Sequence, residues 1–388
     1  MRLAALALCA LVACGDPRPP GVVLWHSYTG QERAALEATA ATWNAEHPDT
    51  PLTLVAVPHD AFADKISSAI PRGNGPDLFI FAQDRIGDWA DAGVIEPIEF
   101  WVDDARADRF SDLSLGAMTY KGSLWGLPLA TKSLVLFYRT DMIATPPTTT
   151  DQLFALEPQL HARGASVLAY ANFDLYGHAP WLHGFGGRVL DEHGTLAIAT
   201  PEAARAIAFA RELIVRDVTP SETTGPLVAS LFNDGKAAMA MSGPWFIADI
   251  DRAVPWKVAP LPIVSETGKP AAPFLGVEGI LMSAKARDKD AAFAVMNALT
   301  GDRAAIVRAR QAQQVVANVH AWDQPDLAGD PVLRVFRAQL AHVVAMPTDP
   351  VMRMVWTPYR TALDKVLHGN GDAGAELRRV EREVQGNR

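Results

Sequence analysis

Short apolar runs that alternate with amphipathic helical segments constrain the fold of this chain more than any other feature. Val22–Trp25, Leu52–Val57 and Leu78–Phe81 are typical of buried strands, and Gln31–Glu46 and Ala61–Ile70 between them carry the helical spacing of apolar residues. Strands that alternate with helices in this way form a sheet through crossover connections. The pattern therefore predicts an α/β fold.

The same alternation returns later in the chain, before helices dominate from Asp288 onward. Further strands are predicted at Leu134–Tyr138, Ser166–Tyr170, Ala237–Met241 and Gly276–Met282. Two extended segments, Leu127–Lys132 and Pro273–Gly279, lie between groups of α/β units. If both carry the chain across from one group to the other, they divide it into two discontinuous lobes.

The first twenty residues are predicted to lie outside the fold. Arg2 precedes an apolar run, Leu3–Ala13, that is shorter than the ~18 residues a membrane span needs, so residues 1–13 are typical of a secretory signal peptide. The junction Leu11–Cys14 has the pattern of a lipobox, in which Cys14 is lipidated and becomes the new N-terminus. The alternative is an ordinary signal peptide with an incidental cysteine. With residues 14–20 as a lipidated tether, we expect an exported protein, anchored to a membrane at Cys14 on the periplasmic or cell-envelope side.

The charge balance and the cysteine count exclude several classes of protein. The 388 residues carry 35 Lys and Arg against 44 Asp and Glu, for a net charge of −9. Because nothing in this acidic chain builds a basic stripe, no nucleic-acid partner is predicted. Two cysteines form neither a disulfide framework nor a cysteine-rich metal site.

A search for catalytic motifs gives no positive signal. The sequence has no phosphate-binding P-loop, no nucleophile elbow and no dinucleotide-binding glycine motif after a strand. His178 and His183 are five residues apart, which is a poor spacing for two metal ligands on one helix face. We therefore predict no enzyme, no cofactor and no metal site. A glycosidase that uses two carboxylates such as Asp84 and Asp174 is the catalytic alternative.

The positive signal is aromatic. Several of the ten Trp and fifteen Phe residues lie beside turn residues and polar side chains, as in Ser242–Trp245, Phe81–Arg85 and Val355–Tyr359. A carbohydrate stacks its C–H faces on rigid aromatic rings, and its hydroxyls bind planar groups such as those of Asp and Arg. These segments suit a sugar-binding site, although core packing is the alternative for any single Trp.

Blocks along nearly the whole chain resemble the maltose/maltodextrin-binding family of extracellular solute-binding proteins, in its lipoprotein form. The blocks are Gly75–Arg85, Leu124–Ala130, Met241–Trp245, Phe274–Val277, and Met346 through Trp356 and Arg360. The resemblance implies a two-lobed periplasmic-binding-protein fold of type II, with a hinge between discontinuous lobes. Lobe 1 would comprise residues 21–130 plus 276–328, and lobe 2 residues 131–275 plus 329–388. The resemblance also implies a monomer that binds sugar between the lobes and delivers the sugar to the permease of an ABC importer.

Site residues carry over from this resemblance unevenly. Asp84 and Arg85 match a pair that clamps sugar hydroxyls, and Asp174 with Tyr176 matches an acid and an aromatic ligand. The remaining matches are two stacking tryptophans and a cleft-lining methionine, namely Trp245, Trp356 and Met346.

Departures from the family pattern leave the sugar open. Phe81 stands where the family has Trp, Lys132 where it has an acidic ligand, and Ser27, Thr29 and Gly30 replace three polar residues of its first loop. A disaccharide or oligosaccharide other than maltodextrin is therefore plausible. Since Lys132 and Arg85 are cationic, an acidic sugar or sugar phosphate is a further alternative.

Four of these residues also have structural interpretations. Asp84 and Arg85 could form a surface ion pair or start a helix, Trp356 could pack in a core, and Lys132 could be a salt-bridge partner in the hinge.

Overall fold

Two β-sheets, each covered by helices, organise the chain in the computed structural model, which describes residues 19–191, 193–369 and 371–386. The predicted signal peptide, Cys14 and most of the predicted tether lie outside these residues. None of the helices in the described part is long and apolar enough to cross a lipid bilayer.

The strands lie close to the predicted apolar runs, and several short strands join them. In chain order they are β1 Val22–His26, β2 Leu52–Ala56, β3 Leu78–Ala82, β4 Thr119–Tyr120, β5 Ser123–Leu124, β6 Gly126–Lys132, β7 Val135–Arg139, β8 Ser166–Ala169, β9 Ala237–Ser242, β10 Trp256–Ala259, β11 Ile263–Val264, β12 Lys269–Pro270, β13 Phe274–Met282 and β14 Val344–Ala345.

Helices dominate the chain from Asp288 onward, as the sequence predicts. They are α1 Gly30–Glu46, α2 His59–Ala69, α3 Ile86–Asp91, α4 Asp104–Ala107, α5 Asp112–Ala117, α6 Thr150–His161, α7 Leu175–Gly184, α8 Pro201–Val215, α9 Gly225–Asn233, α10 Lys289–Thr300, α11 Asp302–Ala312, α12 Pro325–Gly329, α13 Pro331–Gln339, α14 Val351–His368 and α15 Ala373–Gly386.

The first lobe is built on a six-stranded mixed sheet in the order β14-β13-β3-β1-β2, with β6 also paired to β13. Strand β1 runs parallel to both neighbours, so that Leu24 pairs with Leu54 on one side and Leu78 on the other. Strand β13 runs antiparallel to β3 and β6. Leu24 and Leu78 are fully buried in the apolar core beneath this sheet, and Leu54 is partly buried against it.

The second lobe is built on a four-stranded sheet in the order β10-β7-β9-β8. Strand β7 is antiparallel to both neighbours, and β8 is parallel to β9. Helices α14 and α15 pack on α8, where Tyr359, Leu363 and Leu377 are fully buried. The two-lobed periplasmic-binding-protein fold that the resemblance implies is therefore confirmed.

The predicted crossings correspond to adjacent antiparallel strands. Leu127–Lys132 falls within β6, and Pro273–Gly279 overlaps the beginning of β13. Lys132 pairs with Gly276 in this ladder, and β6 is followed almost at once by β7 of the second sheet. The two strands through which the chain passes between the lobes thus lie side by side.

A buried amide fixes the beginning of β13 to the end of β3. The Gln83 side chain is fully buried, donates from Nε2 to the Leu275 carbonyl at 3.0 Å, and accepts from the Val277 amide at 2.7 Å. Because both bonds join an antiparallel crossing strand to the first lobe, Gln83 holds β13 in register where it passes toward the second lobe.

Candidate functional site

Two cavities lie on either side of the Trp245 side chain. The first, here called the cleft cavity, has a volume of about 480 Å³ and is lined from the first lobe by Thr29, Glu32 and Gln314 and from the second by Trp245. The second, here called the side cavity, has a volume of about 690 Å³ and is lined by second-lobe residues that include Asp174, Tyr176 and Trp245. Each volume is within the range of small-molecule sites.

Trp245 is presented to solvent by the short helical turn Pro244–Asp249 that follows β9. The residue is 46% exposed, which is unusual for so large an apolar side chain. Its indole folds back over Gly243, where a Cβ atom would lie 2.2 Å from the ring. Glycine at this position therefore leaves the space that the indole occupies, and Gly243 positions Trp245.

The beginning of α7 places two predicted residues beside this indole. Asp174 caps the helix, since its carboxylate accepts a hydrogen bond from the Tyr176 amide at 2.7 Å. The centroid of the Tyr176 ring lies 6.1 Å from that of Trp245. Burial, assisted by the negative charge of Asp174, raises the pKa of the Tyr176 hydroxyl, which therefore stays protonated.

An aromatic series continues from Tyr176 to Trp356. The buried Phe274 ring lies 6.3 Å from Tyr176 and 6.4 Å from Trp356, measured between ring centroids. Trp356 is partly buried on α14 and packs against the core that contains Phe274. Met346, at 7% exposure, belongs to the same core and lines neither cavity beside Trp245.

Phe81, Asp84 and Arg85 form a separate group at the end of β3, and they too line neither of these cavities. The Phe81 ring lies 5.2 Å from Trp89 and stacks on His59, with 6.1 Å between centroids. Phe81 is therefore partly buried and packs against the core that contains Trp89.

Burial raises the pKa of the Asp84 carboxyl to about 6, although the positive charge of Arg85 opposes this shift. Arg85 lies 3.9 Å from Asp88, which also forms an ion pair with Arg353 of α14 at 3.1 Å. Arg353 is three residues before Trp356, so this contact joins the Asp84 group to the helix that carries Trp356.

Lys132 lies between two carboxylates at the end of β6. Its Nζ is 3.3 Å from Glu278 Oε1 and 3.9 Å from Glu32 Oε1, and the lysine lines the cleft cavity. Burial alone would lower the pKa of Lys132, but the charges of Glu278 and Glu32 outweigh it and keep the pKa above its usual value. Lys132 is therefore a charged salt-bridge partner at the point where the chain leaves the first lobe.

Sequence analysis missed several polar residues around Lys132. Glu278 also accepts from the Tyr28 hydroxyl at 2.6 Å, and Glu32 accepts from Gln314 at 2.9 Å. Glu278 could have been found, because it is the one charged residue within the apolar strand Phe274–Met282. Glu32 and Gln314 give no comparable signal, since they meet Lys132 only through the tertiary fold.

The two histidines singled out in the sequence are core residues of α7. Burial lowers the pKa of His178 to about 3 and that of His183 to about 4, so both rings are neutral at pH 7. His183 Nδ1 lies 2.7 Å from the Ala272 carbonyl oxygen. Among the described residues, no group of three or more His, Cys, Asp and Glu side chains could hold a metal ion.

Comparison with known proteins assigns the fold and its cleft to a family. The sequence model of bacterial extracellular solute-binding proteins matches residues 27–306 of this chain. The chain belongs to the bacterial extracellular solute-binding protein family. The members of this family bind solutes, which agrees with the cavities between and beside the lobes.

Two curated relatives match over almost the entire chain. The maltotriose-binding protein of Pyrococcus abyssi is 28% identical over 379 residues, which cover 96% of this chain and 82% of the relative. The galactooligosaccharide-binding protein of Bacillus subtilis is 24% identical and the match covers 100% of this chain and 96% of the relative. Among solved structures, a cyclo/maltodextrin-binding protein complexed with maltotetraose is 26% identical, with a TM-score of 0.86 over 96% of this chain and 98% of that one.

Proposed function

We propose that this protein is the substrate-binding component of an ABC importer and captures a maltodextrin-like oligosaccharide in the cleft between its lobes. The observation that carries the proposal is Trp245, a large indole that is 46% exposed between two cavities with Tyr176 beside it. Such a surface suits the C–H face of a sugar ring. The names of the similar proteins, two of which refer to maltodextrins, support this class of ligand.

The proposed sugar contacts come from both lobes. Trp245, Tyr176 and Trp356 would stack on sugar rings, and Asp84, Arg85, Asp174 and Lys132 would bind hydroxyls. Phe81 and Met346 would contribute apolar contacts. The packing of Phe81 against Trp89 and the low exposure of Met346 leave these two with the smallest expected effect on affinity.

The proposed boundaries of the lobes are residues 21–130 plus 276–328 and residues 131–275 plus 329–388, and the short strand β14 of the last segment pairs with β13 at the edge of the first-lobe sheet. The adjacent strands β6 and β13 would act as the hinge, and the sugar would select the closed arrangement because only that arrangement contacts it from both sides. The protein would act as a monomer, exported and anchored at Cys14, and the permease would recognise its closed form.

The sequence also leaves a catalytic alternative, a glycosidase that uses Asp84 and Asp174. In the structure Asp174 caps α7, and Asp84 lies after β3 in a different group of side chains. We propose that the protein binds sugar without converting it.

A thermal-shift screen of residues 19–388 against maltotriose, a galactooligosaccharide, a cellooligosaccharide and glucose tests the proposed ligand class. A ligand that binds only the folded protein raises the Tm. At a concentration of 100 times its Kd, it adds about 2.7 kcal/mol to the free energy of unfolding. We expect the largest shift with maltotriose and no product when the mixture is analysed by chromatography. A larger shift with another sugar class, or the appearance of glucose and maltose, would overturn the proposal.

A further inference from the structure

We propose that Glu278 sets the charge selectivity of the cleft: it compensates the charge of Lys132, so that the cleft accepts neutral oligosaccharides and rejects acidic ones. This inference rests on the proposed function. The alternative is that the positive charge of Lys132 makes the protein a receptor for acidic sugars.

Glu278 is held in place by two partners on different elements. One carboxylate oxygen accepts from the Tyr28 hydroxyl at 2.6 Å, and the other accepts from Lys132 Nζ at 3.3 Å. The side chain is only 14% exposed, and its residue pairs with Ala82 of β3 and Ala130 of β6 in the sheet. Because β13 is fixed on both sides, the carboxylate cannot turn away from Lys132 without breaking these contacts.

Four charges share this region and balance one another. Lys132 lies between Glu278 and Glu32, and the buried Arg308 is close enough to Glu278 for their charges to interact. Two cations and two carboxylates leave no net charge. Arg310 also lines the cleft cavity, but its guanidinium binds Asp326 at 2.7 and 2.9 Å and is therefore compensated as well.

This balance decides which sugars gain from Lys132. The ammonium can still donate a hydrogen bond to a neutral hydroxyl, because Lys has three donors and only one is used by Glu278. A sugar carboxylate would lose its hydration in the cleft and would meet Glu278 and Glu32 beside the Lys132 ammonium that attracts it. The geometry of Lys132 thus favours hydroxyls over carboxylates.

The test compares maltitol with maltobionate, two probes that differ chiefly by CH₂OH in place of a carboxylate. Isothermal titration at low salt would give the ratio of their Kd values for the wild-type protein and for Glu278→Gln. We expect the wild type to favour maltitol at least tenfold. Glu278→Gln leaves one uncompensated cation and should bind maltobionate at least tenfold more tightly than the wild type does. Maltobionate affinity that is unchanged or lower in Glu278→Gln would overturn the inference.

Three further variants separate charge selectivity from a structural role of Glu278. Glu32→Gln removes a charge from the same cluster at a more exposed position and should shift the ratio in the same direction, even if Glu278→Gln fails to fold. Glu37→Gln makes the same change in net charge on an exposed part of α1, where Glu37 pairs with Arg33, and should shift nothing. The double variant Lys132→Gln/Glu278→Gln restores neutrality. It should bind maltobionate no more tightly than the wild type does.

The outcomes also separate this inference from the proposed function. If the wild type binds no maltotriose, the proposed function fails and the inference fails with it. If the wild type binds maltotriose and a folded Glu278→Gln protein does not shift the ratio, the inference alone is wrong. If Glu278→Gln does not fold, an unchanged ratio in Glu32→Gln has the same meaning.

Discussion

Trp245 can be truncated at little cost to folding, because nearly half of the residue is exposed. Trp245→Ala should weaken maltotriose binding roughly tenfold or more, the effect of losing about 1.4 kcal/mol of stacking. Isothermal titration measures this loss, and an unchanged Tm would show that the fold is intact. Affinity equal to that of the wild type would remove Trp245 from the site.

Gly243→Ala provides a second variant that leaves the indole in the protein. The added methyl group would occupy the space of the Trp245 ring, so the ring must move. We expect a loss of affinity in the same direction as for Trp245→Ala, together with a shift in tryptophan emission. Gly329→Ala, whose methyl group would meet no atom within 4 Å and which lines neither cavity, is the matched control.

Asp84 should give sugar binding a dependence on pH. Burial raises its pKa to about 6, and His59, Arg85 and Asp88 are the charged or titratable groups that act on it. If the ionised carboxylate accepts sugar hydroxyls, affinity is full above pH 7, falls through pH 6, and is about tenfold lower at pH 5 than at pH 7. Titrations at several pH values measure this slope, and a flat profile in the wild type would contradict the prediction.

Asp84→Asn is the control for the pH profile of sugar binding. The substitution should weaken sugar binding but increase the stability of the fold. The variant should bind weakly with little change between pH 5 and pH 7. Because the folded-state pKa lies above the unfolded value of 3.8, the ionised carboxyl opposes folding, and this penalty grows as the pH rises from about 4 to 6. Asp84→Asn should therefore be more stable than the wild type at pH 8.

Side chains that line the side cavity were predictable where they follow a short local pattern. Trp245 comes directly after a strand and a Gly-Pro turn, and Asp174 precedes a helix that it caps. The partners of Lys132 could not be read in the same way, because Glu32 and Glu278 are 246 positions apart and meet only when α1 and β13 pack together. Local sequence marks Glu278 as the one charged residue of an apolar strand, but it does not show which charges lie beside it.

At the scale of elements, Gln83 is expected to stabilise the passage between the lobes. Gln83→Ala removes two buried hydrogen bonds to β13 and leaves the Val277 amide without its acceptor. We expect the free energy of unfolding to fall by about 2 kcal/mol, measured by urea denaturation. Gln385→Ala, at an exposed position of α15, should leave it unchanged, and an equal loss in both variants would contradict this role of Gln83.

Most of the long elements could be predicted from the sequence, and the short ones could not. Strands β1, β2 and β3 begin where the apolar runs begin. Burial on both faces of the sheet, which is complete in β1 and covers the first three residues of β3, requires continuous apolar residues. Between Phe81 and Leu127 the sequence analysis predicted no element. This segment contains helices α3, α4 and α5, which span six, four and six residues and are too short for a helical repeat to appear.

At the scale of the whole molecule, sugar binding should move the lobes together. Shifting an open-to-closed ratio from 99:1 to 1:99 requires about 5.5 kcal/mol of differential binding. Two stacks at ~0.5–1.5 kcal/mol each and two charged hydrogen bonds at ~1.5–3 kcal/mol each supply about 4–9 kcal/mol, a range that includes this requirement. Small-angle X-ray scattering should therefore record a smaller radius of gyration with saturating maltotriose. An unchanged radius at saturation would contradict closure about β6 and β13.

The arrangement of the lobes was predictable only through a resemblance that spans the chain. The two crossings read as ordinary extended segments, and their adjacency depends on the pairing of Lys132 with Gly276 across 144 positions. Local patterns predicted which segments form strands and which form helices. The two-lobed topology followed only from the order of the sequence blocks that resemble the family.

The most direct test of the whole account is a titration of maltotriose into the wild-type protein, residues 19–388, followed by calorimetry at pH 7.5. The account predicts saturable binding of one sugar per chain, with a Kd of about 10 μM or lower. Absence of binding at millimolar maltotriose, in a sample that unfolds cooperatively on heating, would contradict it.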